Sequence, residues 1–162
     1  MDIQTSIQIN PEKSCAFTGH REMDADLDKK KIKKELISLI ENGVDTFYNG
    51  GAVGFDLLAG EIIIRLKKKY TQIKLILCIP CPEQDKYYSD ADKKRYQKLY
   101  KKSDETIVLS ETYTKYCMLA RDRYMADKAD VLFAYKRKET GGTAYTVRYF
   151  TKKYPYKRKV FI

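Results

Sequence analysis

Five times in succession, a short apolar or β-branched run in this chain is followed by a longer stretch with helical periodicity. That alternation constrains the fold more than any other feature. Strands separated by helices cannot pair as tight hairpins, so they join through crossovers, and crossovers of one hand build a parallel sheet. The expectation is an α/β chain with a doubly wound, mainly parallel sheet and helices on both faces.

Strands are predicted over 14–18, 46–49, 73–79, 105–109, 130–135 and 159–162, the last at an edge. The run at 73–79 is continuously apolar, as in a strand covered on both faces, and Pro80 and Pro82 end it. Helices are predicted over 28–42, 55–69, 90–102, 116–128 and 143–153. The first carries Ile32, Leu36, Leu39 and Ile40 on one stripe and stops at Gly43; the second carries Phe55, Leu58, Ile62 and Leu66. The third is lysine-rich, with Tyr96, Leu99 and Tyr100 available for packing, and Glu61 in the second falls off the apolar stripe into solvent. Residues 14–162 read as one domain, and 1–13 as an N-terminal arm or an added edge strand.

No apolar run approaches the roughly 20 residues that cross a bilayer, and the first residues do not read as a secretory signal. A cytoplasmic chain without a membrane partner is expected. Cys15, Cys78, Cys81 and Cys117 read as small buried hydrophobes. The Cys78–Cys81 spacing is that of a redox motif, but it closes a mid-chain strand and runs into Pro82. A zinc site would have to recruit Cys15, Cys117 or His20, and no metal is expected. The net charge of +10 attracts polyanions, so nucleic acid remains a possible partner. Runs such as Lys67 to Lys69 fall on outer helix faces, where the simpler reading is a solvated surface.

Three strand-to-helix junctions share a glycine-rich composition: Thr18-Gly19-His20-Arg21, Gly50-Gly51-Ala52-Val53-Gly54 and Thr140-Gly141-Gly142-Thr143. In a parallel sheet all three lie on the edge where open α/β sheets bind ligands. Glycine lets backbone N–H groups converge on an anion, and the helix that follows adds unpaired N–H groups and partial positive charge. Thr18, Thr143 and Thr146 supply hydroxyls, and Arg21 suits a phosphate. His20 either hydrogen-bonds or exchanges a proton with a ligand, or rests its ring against a neighbouring element. Asp56 either accepts from a ribose hydroxyl or caps backbone N–H groups. Arg121 either reaches the crevice from the fourth helix or forms an ion pair with Asp122 or Asp127.

These stretches resemble the SLOG superfamily, the Rossmann-like group that includes DprA and the LOG phosphoribohydrolases, and within it the YpsA-like branch. The resemblance rests on Phe17 to Arg21, Gly50 to Asp56, Arg121 to Asp130 and Gly141 to Thr146, with Pro80, Gln84 and Asp92 to Tyr96 also similar. It implies a nucleotide or nucleotide-derived ligand, sensed, sequestered or processed in bacterial or phage stress and defence settings, and a homodimer. No further cofactor is required. The site residues are Thr18, Gly19, His20, Arg21, Gly50, Gly51, Ala52, Gly54, Asp56, Arg121, Gly141, Gly142, Thr143 and Thr146. No catalytic residue is assigned. Arg148 stands where a LOG hydrolase has its catalytic glutamate, and Thr140 where it has a proline. Glycosidic hydrolysis needs a carboxylate there, so LOG-type chemistry is disfavoured unless Asp56 or another carboxylate substitutes. Asp122 replaces the asparagine usual in the branch. A nucleotide-processing enzyme and a DprA-like nucleic-acid-binding protein are the alternatives.

Overall fold

Strand and helix alternate without exception along residues 11–162, the residues that the computed structural model describes. The strands are β1 (Ser14–Gly19), β2 (Thr46–Asn49), β3 (Lys74–Ile79), β4 (Glu105–Val108), β5 (Val131–Tyr135) and β6 (Arg158–Phe161). The helices are α1 (Lys29–Glu41), α2 (Phe55–Leu66), α3 (Asp90–Lys102), α4 (Cys117–Lys128) and α5 (Gly142–Lys153). The arm or edge strand expected over 1–13 lies almost wholly outside the described residues.

All strand pairs are parallel, in the order β4-β3-β2-β1-β5-β6. The chain steps outward from β1 to β4, returns through α4, and resumes at β5 on the other side of β1. The sheet therefore has its topological switch point between β1 and β5, where the crossover loops diverge and leave a crevice. The last strand lies at an edge as expected, β6 bonding only to β5, and β4 forms the other edge.

Side chains alternate across each strand, and the alternation divides the core in two. Cys15, Phe17, Phe47, Leu77 and Phe133 face α1, α2 and α3. Ala16, Ile76, Cys78, Leu132 and Ala134 face α4 and α5. All four cysteines are buried free thiols. Among the described residues no helix is long and apolar enough to cross a membrane.

Local bonding moves three details away from expectation. Helix α2 stops at Leu66, because the amides of Lys68 and Lys69 turn to the carbonyls three residues back, at Arg65 and Leu66. Tyr100 stays 46% exposed, leaving Tyr96 and Leu99 as the buried residues of α3. Glu61 is not simply solvated but accepts from Arg95 Nε at 2.5 Å, tying α2 to α3.

An aromatic cluster pins the functional edge. Phe55, the first residue of α2, stacks on Phe133 at 6.3 Å and on Tyr135 at 5.7 Å, while Phe17 meets Phe133 edge-on at 5.6 Å. Phe55 sits so close to β1 that a Cβ at Gly19 would collide with its ring. Gly54 has φ +91° and lies against the Arg21 carbonyl, leaving no room for any side chain. The Phe55 amide donates to the His20 carbonyl at 3.1 Å. These contacts lock the first two glycine junctions together. Phe133→Ala is expected to cost about 3–5 kcal/mol of stability through the cavity it opens. Urea unfolding would show it as a lower midpoint, whereas Val108→Ala at the half-exposed edge should change stability by no more than about 0.5 kcal/mol.

Candidate functional site

At the switch point the ends of β1 and β5 open onto a crevice of about 600 Å³. Its walls come from four regions: Thr18 to Glu22 at and beyond the end of β1, Ala52 and Asp56 around the start of α2, Arg121 and Asp122 on α4, and Lys138 with Thr140 to Thr143 leading into α5. Gln84 and Tyr88, from the loop between β3 and α3, complete the wall.

Arg121 organises one side. It is only 4% exposed, and a guanidinium is always charged, so it must find acceptors inside the protein. Its Nη1 donates to the Gly50 carbonyl at 2.6 Å and to Gln84 Oε1 at 2.9 Å, and its Nε to Asp122 Oδ1 at 2.8 Å. Gln84 Nε2 donates to the same Gly50 carbonyl at 3.0 Å, and the Tyr88 hydroxyl to the Gly51 carbonyl at 2.9 Å. Gly51, at φ +67°, gives its amide to Asn49 Oδ1 at 2.8 Å. The second glycine turn is thus held from the β3–α3 loop, α4 and its own strand. Arg121 pairs with Asp122 and lines the crevice, but the pair is part-buried rather than on the surface, and its donors are engaged by protein acceptors.

Asp56 is buried beside this network. Its Oδ2 accepts from the Ala52 amide at 3.3 Å, as a cap would, while its Oδ1 has no hydrogen-bond partner. Burial pushes its carboxyl up to about 7, against the pull of the nearby Arg121 guanidinium. A buried acid whose carboxyl is raised by desolvation, one oxygen of it without a hydrogen-bond partner among the described residues, therefore lies at the crevice.

His20 works on the opposite wall. Its Nε2 accepts from the amides of Arg137 at 2.7 Å and Lys138 at 3.3 Å, so that nitrogen carries no proton and the ring is neutral. Burial first, then Lys138, Arg137 and Lys136, hold its pKa below the ordinary histidine value. The ring also meets Tyr135 edge-on at 5.9 Å. His20 shapes the loop into α5. Arg148 supports the same loop, donating to the Glu139 carbonyl at 3.0 Å.

The start of α5 differs from that of α2. Gly141 has φ +93°, and a Cβ there would meet nothing within 4 Å; Gly141 and Gly142 are both exposed, whereas neither helix start is capped by a side chain among the described residues. Arg21 and Lys138 bring positive charge to the same rim.

Of the residues singled out from sequence, Thr18, Gly19, His20, Arg21, Ala52, Asp56, Arg121, Gly141, Gly142 and Thr143 line the crevice. Gly50, Gly51 and Gly54 stand behind it. The Thr146 hydroxyl turns back to the Gly142 carbonyl at 2.7 Å, inside its own helix, and does not line the crevice. Tyr88 and Lys138 were not singled out. Tyr88 is one of 14 tyrosines and nothing in the sequence marks it, whereas Lys138 stands near enough to Thr140 to be suspected.

The raised Asp56 carboxyl makes a signed prediction. A group held at about 7 in the fold, against 3.8 unfolded, contributes stability that is complete below 3.8 and is lost as pH rises through about 7. Asp56→Asn removes that dependence. Its stability relative to the parent should climb as pH rises from 3.8 to about 7 and then level off, as read from urea midpoints across pH. A difference independent of pH would mean an ordinary carboxylate.

The sequence profile of the YspA SLOG family (YpsA) matches residues 15–161. A UPF0398 protein of Halalkalibacterium halodurans is 30% identical over 122 residues, covering 72% of this chain and 64% of the relative. The SPbeta prophage-derived protein YoqJ of Bacillus subtilis is 30% identical over 141 residues, covering 76% and 82%. Among solved structures, DNA processing protein A of Helicobacter pylori, described with its single-stranded DNA binding mode, superposes with a TM-score of 0.67 at 21% identity, over 93% of this chain and 65% of that one. The protein of the same name from Streptococcus pneumoniae gives 0.64 at 21% identity, over 87% and 47%. The chain therefore spans less than two thirds of the length of several proteins it matches. At such identity the structural likeness speaks for the fold alone, a six-stranded parallel Rossmann-like sheet. The profile match runs from β1 through β6 and takes in every glycine junction, so the chain belongs to the YspA SLOG family.

Proposed function

We propose that this chain binds a nucleotide or nucleotide-derived ligand, to sense or sequester it, with a phosphate at the start of α5. The observation that carries the reading is the open, uncapped entry to α5 at the switch point of a parallel sheet. Gly141 leaves its surroundings free for close backbone approach, Gly142 is exposed with Asp122 Oδ2 3.6 Å from where its Cβ would stand, and the helix start favours an anion. Arg21 and Lys138 supply mobile positive charge, and Thr143 a hydroxyl, at the same rim. Asp56 lines the crevice, and its carboxyl is the acceptor for a ribose hydroxyl in this reading. Arg121, with its donors directed to Gly50, Gln84 and Asp122, positions the wall.

The reading is binding without LOG-type turnover, because Arg148 at the glutamate position is engaged in holding the loop. Nucleic acid is the second reading, favoured by the net charge of +10 and by the DNA-processing proteins that share the fold. A homodimer is the expected assembly, checked by light scattering with and without ligand.

Native mass spectrometry and thermal shift against mono- and dinucleotides test the proposal. Gly142→Asp puts a carboxylate where the phosphate would sit, at a helix start that tolerates acidic side chains. It should weaken nucleotide binding at least about tenfold, equivalent to about 1.4 kcal/mol, while the protein stays folded. Arg21→Ala should weaken binding in the same direction. No stabilisation by any nucleotide, with single-stranded DNA binding that falls steeply with salt, would move the assignment to nucleic acid.

A further inference from the structure

A second crevice, of about 620 Å³, opens beside the first. The two are continuous rather than separate: Arg21, Gln84, Tyr88 and Met118 line both. Tyr88 forms the partition, fixed by its hydroxyl on the Gly51 carbonyl at 2.9 Å and by its ring against Tyr96 at 5.6 Å. Arg21 stands where the two meet, exposed and with a charge free to reach either side.

The walls of the second crevice have a different chemistry. Tyr87 is 90% exposed and Tyr113 65% exposed, and both line it. A single exposed ring is ordinary, but two in one pocket with polar neighbours form the kind of apolar patch that marks a ligand-binding groove. The Lys86 ammonium lies over Tyr87, 5.5 Å from the ring centroid, and the ring remains open to a second partner. Glu83 and Asp92 line the same crevice as hydrogen-bond acceptors. Aromatic faces, with acceptors in the same pocket, match a nucleobase: the ring stacks and the exocyclic amine donates. The first crevice has no such exposed ring; its rim offers glycine amides, threonine and cations.

We infer that the second crevice is a base-stacking subsite, and that the ligand is of dinucleotide type, two nucleosides joined by a phosphate bridge. The inference rests on the nucleotide reading of the first crevice and extends it. One nucleoside phosphate occupies the crevice at α5, the bridge crosses at Arg21, and the second base lies on Tyr87 and Tyr113. A small ligand fits better than a passing strand, because a strand continuing outward would bring further phosphates against Glu83 and Asp92.

The experiment compares calorimetric affinities of ADP, of di(adenosine) diphosphate and of a short single-stranded oligodeoxyadenylate, for the parent protein and for Tyr87→Leu/Tyr113→Leu. Both tyrosines are exposed, so the double variant is expected to fold, and its circular dichroism and thermal midpoint check this. The dinucleotide should bind the parent at least about tenfold tighter than ADP, the gain a single stacked base typically gives. In the double variant that gap should collapse to within about twofold, with ADP affinity unchanged. Equal affinity for ADP and the dinucleotide in the parent overturns the subsite and leaves the nucleotide reading standing. A dinucleotide advantage that persists in the double variant also overturns it. Failure of both small ligands overturns the nucleotide reading itself. An oligonucleotide that outcompetes the dinucleotide, and loses that advantage in the double variant, assigns the tyrosines to a strand and overturns the small-ligand inference.

Discussion

A guanidinium that cannot lose its charge, buried among backbone carbonyls, is the constraint around which the functional edge is built. Arg121 leaves water only because the Gly50 carbonyl, Gln84 and Asp122 replace it. Each partner belongs to a different part of the chain, so one side chain sets the relative positions of the β2–α2 turn, the β3–α3 loop and α4. Removing one member of such a set leaves a buried group uncompensated, which typically costs about 3–5 kcal/mol. A Cβ at Gly50 would fall 2.8 Å from Arg121 Nη1 and 2.9 Å from Asp56 Oδ2, so the turn can approach the arginine only as glycine. The desolvation that raises the Asp56 carboxyl comes from the same dense packing.

The three glycine junctions look alike in sequence and do unlike work. Gly19 and Gly54 make room for other protein atoms, the Phe55 ring and the Arg21 carbonyl, and so bring the first two junctions together. Gly50 and Gly51 serve the Arg121 network and the contacts of Tyr88 and Tyr96. Gly141 faces open space with its backbone in the left-handed region. The rigid pair forms one wall of the crevice, and the open junction forms its exposed rim. His20 connects them, because its unprotonated nitrogen holds the amides of Arg137 and Lys138 on the loop that leads to Gly141.

Much of the fold was legible from sequence because its signals are local. The stripe Ile32, Leu36, Leu39 and Ile40 closes against the sheet as its spacing requires, and the helix ends within two residues of Gly43. The alternation of Cys15, Ala16 and Phe17 goes to opposite faces of the sheet, as period two dictates. The site was only partly legible. Thr146 looked like a ligand hydroxyl by its place after Gly142, but a threonine within a helix readily bonds back to the preceding turn, and this one does. Tyr88 carried no mark, because its role comes from a contact with Gly51 made across 37 residues.

By itself, then, the sequence determined a parallel α/β sheet with three glycine junctions on one edge and an arginine close to them, since strand and helix periods and turn composition act within a few residues. Only the tertiary structure decided which glycine is open and which is filled, that burial raises the Asp56 carboxyl, that His20 accepts rather than donates at Nε2, and that Tyr87 and Tyr113 border the same space as Arg21. Those outcomes depend on burial and on which distant atoms arrive as neighbours. The Arg121 bond to Gly50 spans 71 residues, and no local pattern in the chain encodes it.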